Sequence, residues 1–276
     1  MHANHSNILA WAIGLLVMLA IQSVSAAPLD PPVPPGRDPG GTPVAIIGSG
    51  IDYTQTHLAQ MLARDGEGEI IGYDFTDDDR RPFCTCSGTA IAEIVTGEGQ
   101  TATLVVVRAD MTNAAIAGRA IGYAAGTPAK ISLIAKPISD KNEAALVSAA
   151  ARHFTRKFFI ASVADAAVAA LVVKEPNLII VAADSAKSGS TAAPSFAEID
   201  VSTGGFLVGS GESDISGAEI AAARVAALAA RLQAVEPDLT ADQVKKRILE
   251  LAEPAPSGGT ATTPYLASPR RHFWLE

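Results

Sequence analysis

The residue types able to do chemistry in this chain are few, and most stand in short clusters. Gly48-Ser49-Gly50 follows the apolar run Val44-Ala45-Ile46-Ile47, and Asp74 closes a second apolar stretch. That spacing is the outline of a dinucleotide-binding turn, with a glycine-rich loop for the pyrophosphate and an acid for the ribose, but Tyr53 stands where the third small residue belongs. Asp77-Asp78-Asp79 offers oxygen ligands of the kind calcium takes, or a solvated acidic loop. His57, His153 and His272 are the histidines beyond the N-terminal segment. His57 falls in a helix-like stretch after the first apolar run, where an imidazole could reach a cleft. Cys84 and Cys86 have a single residue between them, so a bond between them closes a small, strained ring that is easily reduced; two small residues in a loop is the alternative.

Those side chains need a framework. The chain has 276 residues, enough for one large domain with a sizeable core. Hydrophobic residues make up 48% of it, which excludes a disordered protein. The net charge of -8 argues against nucleic acid as a partner, since that needs clustered Lys and Arg. Residues 8–21 form an apolar run ending near Ser23-Val24-Ser25-Ala26-Ala27, which reads as a signal peptide over 1–26 with cleavage after Ala26. The run is shorter than the roughly 20 residues of a spanning helix, so no stable membrane span is expected after cleavage; an uncleaved membrane anchor is the alternative. Export, periplasmic or extracellular, follows, and with it an oxidising setting for the two cysteines.

Residues 27–43 are rich in Pro and Gly and read as a linker. From 44 onward short continuous apolar runs alternate with helical spacings. Strands are expected at 44–47, 69–75, 104–107, 131–134, 158–162 and 177–183, and helices at 56–64, from 89, 114–125, 143–154 and 164–173. Continuous apolar strands between helices predict a mainly parallel sheet covered on both faces, a three-layer α/β/α architecture. Ser216 with Glu219, and Thr240 with Gln243, are two capping boxes. The first has Ile215 and Ile220 as a hydrophobic staple and heads a helix, apolar nearly all round, that runs to about Val235 before Pro237. The second heads a helix running to about Ala252. The tail 253–276, rich in Pro, Ser and Gly, is expected on the surface.

Several of these stretches, in order, resemble the blocks of the subtilisin-like serine peptidases. Val44-Ala45-Ile46-Ile47-Gly48-Ser49-Gly50-Ile51-Asp52 is similar to V-A-V-I-D-[ST]-G-I-D, with Gly48 at the catalytic Asp. Ser87-Gly88-Thr89-Ala90-Ile91-Ala92-Glu93 is similar to H-G-T-H-V-A-G, with Ser87 at the catalytic His. Asn177-Leu178-Ile179-Ile180-Val181-Ala182-Ala183-Asp184-Ser185 resembles V-V-V-V-A-A-G-N and puts Ser185 at the oxyanion Asn. Ser216-Gly217-Ala218-Glu219 resembles S-G-T-S, with Glu219 at the nucleophile, and Pro237-Asp238-Leu239-Thr240 falls in step behind it. Ser162-Val163-Ala164 takes the place of the cleft's S-x-G. Residues 98–125 are longer than the family's corresponding segment, and between Ser188 and Ser216 the match is poor.

The resemblance implies a subtilisin-like domain over 44–252 without its catalytic groups. Acyl transfer needs a nucleophilic oxygen, a base and a group that orients the base. Gly48 orients nothing, Ser87 is no base at neutral pH, and a Glu219 acyl product would be an unstable anhydride. Losing an oxyanion donor alone costs about 3 kcal/mol of transition-state stabilisation. The expectation is a pseudopeptidase with no cofactor and no metal, whose partner is a peptide or protein, an active protease among the candidates. The alternatives are a working endopeptidase with displaced groups, including His57, and the dinucleotide-binding domain.

Overall fold

The computed structural model describes residues 30–184, 199–204, 215–253 and 265–266. Met1–Pro31 form a unit of their own, of which only Asp30 and Pro31 are described, and Pro32–Glu276 form the other.

Among the described residues eight strands make one sheet: β1 (Thr42–Gly48), β2 (Gly72–Asp74), β3 (Ala102–Arg108), β4 (Ile131–Ile134), β5 (Phe158–Ser162), β6 (Leu178–Asp184), β7 (Val201–Gly204) and β8 (Tyr265–Leu266), in the order β2-β3-β1-β4-β5-β6-β7-β8. Every neighbouring pair is parallel. The helices among the described residues are α1 (Thr56–Ala59), α2 (Ser87–Gly99), α3 (Ala114–Gly126), α4 (Lys141–His153), α5 (Ala166–Ala169), α6 (Gly217–Val235) and α7 (Ala241–Glu250).

The continuous apolar runs divide between the two faces because strand side chains alternate. Val44, Ile46, Leu104, Val106, Ile131, Leu133, Phe158 and Ile160 share one core with α2, α6 and α7. Ala45, Ile47, Val105, Val107, Ile134, Phe159 and Ala161 share the other with α3, α4 and α5. The three-layer α/β/α fold is therefore as expected. Each fully buried Phe or Ile contributes about 1.5–3 kcal/mol over an exposed one.

Both capping boxes form, at Ser216/Glu219 and Thr240/Gln243, and the staple residues Ile215 and Ile220 are buried together. Two expected helices are shorter. α1 stops at Ala59, because the chain then pairs along the β3 edge, with Leu104 N–H donating to Met61 O (2.8 Å) and Ala63 N–H to Leu104 O (2.9 Å). α5 stops at Ala169, ahead of Val172-Val173 and Pro176, which suit a helix poorly. The C-terminal tail corrects the surface expectation: Tyr265–Leu266 pairs with β7, and Leu266 is 2% exposed in the core. Within the stretch read as a linker, Thr42 and Pro43 already belong to β1. Arg64 fastens the part before it, donating to Pro34 O (2.7 Å), while its N–H bonds Asp38 (3.2 Å).

α6 spans the sheet, touching β1, β3, β4, β5, β6 and β7, and lies along α2. Its alanines make that close approach possible: Ala226, Ala227, Ala229 and Ala230 are fully buried. A Cβ on Gly99 of α2 would lie 2.8 Å from Ala102 Cβ and 3.5 Å from Ala227 Cα. Ala227→Leu is expected to cost about 1–3 kcal/mol by overpacking, read from the urea midpoint. Val235→Leu, at a position 78% exposed, should stay within about 0.5 kcal/mol of the wild type.

Candidate active-site region

In a parallel α/β sheet the carboxyl ends of the strands share one edge, the usual place for ligands. Gly48 ends β1 in the middle of that edge. Its carbonyl accepts from Ala109 N–H (2.7 Å), and the Ile47 carbonyl accepts from Ala135 N–H (2.9 Å). A Cβ on Gly48 would come within 3.0 Å of Ala135 Cβ, so a larger side chain there has to displace Ala135.

The chain then turns at Gly50, whose φ of +89° favours glycine. The turn receives the head of α2: a Cβ on Gly88 would lie 2.0 Å from the Gly50 carbonyl oxygen. Ser87, half-buried at the first position of α2, therefore stands beside the Gly48-Ser49-Gly50 turn. Thr89 ties the two segments, its Oγ1 accepting from Asp52 N–H (2.9 Å). Asp52 itself accepts from the Thr54 hydroxyl (2.5 Å) and N–H (3.0 Å). The hydroxyl bond holds the Asp52 carboxyl below its usual range, against a smaller push upward from burial.

α6 runs alongside α2 with its head at the same edge. Its far end lies at the opposite edge, where Lys130, just before β4, donates to Pro237 O (2.7 Å). Gly48, Ser87 and Glu219 are thus brought to one side of the sheet. Glu219 is engaged locally: its Oε2 accepts from Ser216 N–H (2.7 Å), and Ser216 Oγ accepts from Glu219 N–H (3.3 Å). Ser185 lies outside the described residues.

Two neighbouring features were not legible in the sequence. The first is an ion-pair cluster. Asp74, fully buried, accepts Thr76 N–H and Asp77 N–H and pairs with Arg108, whose Nη1 is 2.7 Å from both Asp74 Oδ2 and Asp77 Oδ2. Arg119 lies 3.9 Å from Asp78 and Arg81 4.0 Å from Asp79. Arginines thus face the acidic run that the sequence offered to calcium.

The second feature is the backbone of Ser162-Val163-Ala164. Ser162 O accepts from Ile138 N–H (2.8 Å), and Ala164 N–H donates to Ile138 O (2.9 Å). That edge is already paired within the chain. Of the two sequence readings of Cys84 and Cys86, the bonded one is found, with Cα atoms 5.3 Å apart.

The alternative sites fare differently. His57 Nε2 is 3.5 Å from Glu93 Oε1 in a pair exposed to solvent. Ser139 donates to Glu143 Oε2 (2.9 Å) with Lys136 Nζ 3.5 Å away. Lys136 is ion-paired to Glu143 at 2.5 Å. The dinucleotide reading does not survive the topology. β3 separates β1 from β2, Asp74 is consumed by Arg108, Tyr53 is fully buried, and only a four-residue helix follows the glycine turn. A phosphate site there needs a substantial helix presenting its N-terminus.

The chain is similar to a cold-adapted subtilisin-like serine proteinase at 19% identity, with a TM-score of 0.64, covering 88% of this chain and 94% of that one. It is also similar to a lanthipeptide protease at 16% identity and TM-score 0.63, covering 85% and 87%. A protease from Pseudoalteromonas arctica matches at 16% identity and TM-score 0.58, covering 84% and 89%. No protein-family model and no curated protein matches the sequence. At such identities the likeness shows the fold: this is a protein of subtilisin-like fold. Among the described residues no helix is long and apolar enough to cross a membrane.

Two expectations follow for the site. Ser216→Ala should cost about 1 kcal/mol through the lost cap. Glu219→Gln, which can still close the box, should cost less than Glu219→Ser, which cannot; chemical denaturation ranks the three. Arg108→Ala should cost about 3–5 kcal/mol by leaving the buried Asp74 without its cation, and the same assay reads it.

Proposed function

We propose that this chain is an exported protein of subtilisin-like fold that does not cut peptide bonds and acts by binding a peptide or protein, an active protease being one candidate partner. The observation that carries the reading is the engagement of Glu219. At the head of α6, where the family pattern places a nucleophile, the side chain is a carboxylate bonded to the Ser216 N–H of its own helix cap. It is neither a hydroxyl nor directed by a base.

Gly48 and Ser87 support the same reading, since a glycine and a serine supply neither an acid nor a base. The pairing of Ile138 with Ser162 and Ala164 supports it from the ligand's side. An extended peptide binds a sheet edge through free backbone groups, and these are taken. A partner therefore meets other surfaces of the molecule, or opens that pair first. The ligand class is carried over from the structural neighbours, which are proteases. Export rests on the apolar segment 8–21 with its Val24-x-Ala26 site and on the Cys84–Cys86 bond, which suits an oxidising compartment.

The test is chemical. A fluorophosphonate probe should label the purified protein no more than its heat-denatured control, and an unstructured protein substrate should stay intact over hours. Clear labelling of the unaltered chain would overturn the reading. Labelling that is lost on replacing one particular serine, and lost again in His57→Ala, would assign the displaced-group alternative. A pull-down from the exported fraction identifies the partner.

A further inference from the structure

We infer that Cys84–Cys86 is a thiol–disulfide exchange site, opened by a dithiol and closed again without unfolding the domain. The ring it closes contains a single intervening residue, and small rings of this kind are more readily reduced than the long-range bonds that staple folds. A loop so short also removes little entropy from the unfolded chain, so the fold depends on it weakly. Cys84 and Cys86 are half-buried and Thr85 between them is exposed, which gives a small dithiol access.

Two independent features show that the reduced pair has somewhere to go. The loop is held by contacts that do not involve sulfur. Cys84 N–H donates to Ile51 O (3.0 Å), Thr89 N–H donates to Cys86 O (3.1 Å), and Phe83 stacks edge-on against the buried Tyr53 at 5.4 Å. The sulfur of Cys86 also has partners waiting in either form. It lies 3.7 Å from the Ser49 and Gly50 carbonyl oxygens, acceptors for an S–H. Cys86 is moreover the N-cap of the thirteen-residue α2, with no side-chain cap bond and no acid in the first turn. The helix N–H groups there are those a thiolate can accept.

The exchange balances in two steps. A thiolate of the dithiol attacks one cysteine sulfur, forming a mixed disulfide and breaking the Cys84–Cys86 bond; the other cysteine leaves as a thiolate and takes a proton. The second thiol of the reagent then attacks the mixed disulfide, releasing the second cysteine. The protein gains two electrons and two protons, and the dithiol becomes a disulfide. Because Cys86 precedes Ser87 and touches the Ser49-Gly50 turn, the change is made at the edge where the candidate region lies. The inference does not depend on the chain being inactive or on its having a protein ligand.

The experiment uses the full chain without denaturant. After millimolar dithiothreitol and alkylation, the intact mass should rise by two labels while the circular dichroism spectrum is unchanged. Removing the reductant and adding oxidised glutathione before alkylation should return the mass to zero labels. The double variant Cys84→Ser/Cys86→Ser should take no label and keep the same spectrum. Labelling that requires urea, or a double variant that is unfolded, would make the bond a structural one and overturn the inference.

Discussion

The burial of α6 is the constraint on which the rest of this structure depends. A nineteen-residue helix laid across six strands and against α2 can approach them only if its contacting side chains are small, and Ala221, Ala222, Ala223, Ala226, Ala227, Ala229 and Ala230 provide that. Its middle is buried while both ends reach the surface, where Ser216 and Val235 are exposed. At the head the Ser216/Glu219 box gives the Ser216 and Glu219 N–H groups partners, and the Ile215/Ile220 staple buries apolar surface beside it. At the other end Glu236 N–H bonds Leu232 O, and Lys130 reaches the Pro237 carbonyl. The composition of the chain, rich in alanine and poor in aromatic residues, is what this packing requires.

Given that core, the carboxyl edge of the sheet could have presented free polar groups to a ligand. Much of it is instead turned inward. The Ile47 and Gly48 carbonyls are taken by Ala135 and Ala109, the Ser162 and Ala164 backbone by Ile138, and the Asp74 carboxylate by Arg108. A scaffold is kept by its buried apolar surface, whereas a reaction is kept by a handful of unsatisfied polar groups aimed at a common point. The two can part, because the first contributes most of the folding free energy and the second almost none of it.

What the sequence disclosed follows the range of the interactions. Val44-Ile47, Leu104-Val107 and Phe158-Ser162 were legible as buried strands because each carries its own apolar run, and both capping boxes were legible because their partners lie three residues apart. That Gly48 closes a strand and that Glu219 stands in the first turn of a helix was legible from the apolar run and the capping box. β7 was not, since Val201-Ser202-Thr203-Gly204 is short and half polar, and β8 was hidden because two residues in a tail of Pro, Ser and Gly become a strand only when β7 offers them an edge. The helical spacing of 56–64 was overridden by pairing with β3. The Arg108–Asp74 pair joins residues 34 apart, and the Ile138 pairing depends on the loop leaving β4; neither has a local signature.

The head of α6 shows how one electrostatic resource can serve two ends. The first turn of a buried helix presents N–H groups and the positive end of the macrodipole. In an acyl-transfer site such groups stabilise a developing oxyanion, and a single donor of that kind is worth about 3 kcal/mol to the transition state. Facing a permanent carboxylate, the same end contributes about 0.3–1 kcal/mol to stability. Glu219 takes the second use, its carboxylate accepting from the Ser216 N–H of its own helix cap. Under the proposed function, that small gain in stability is what the head of α6 supplies, in place of a part in acyl transfer.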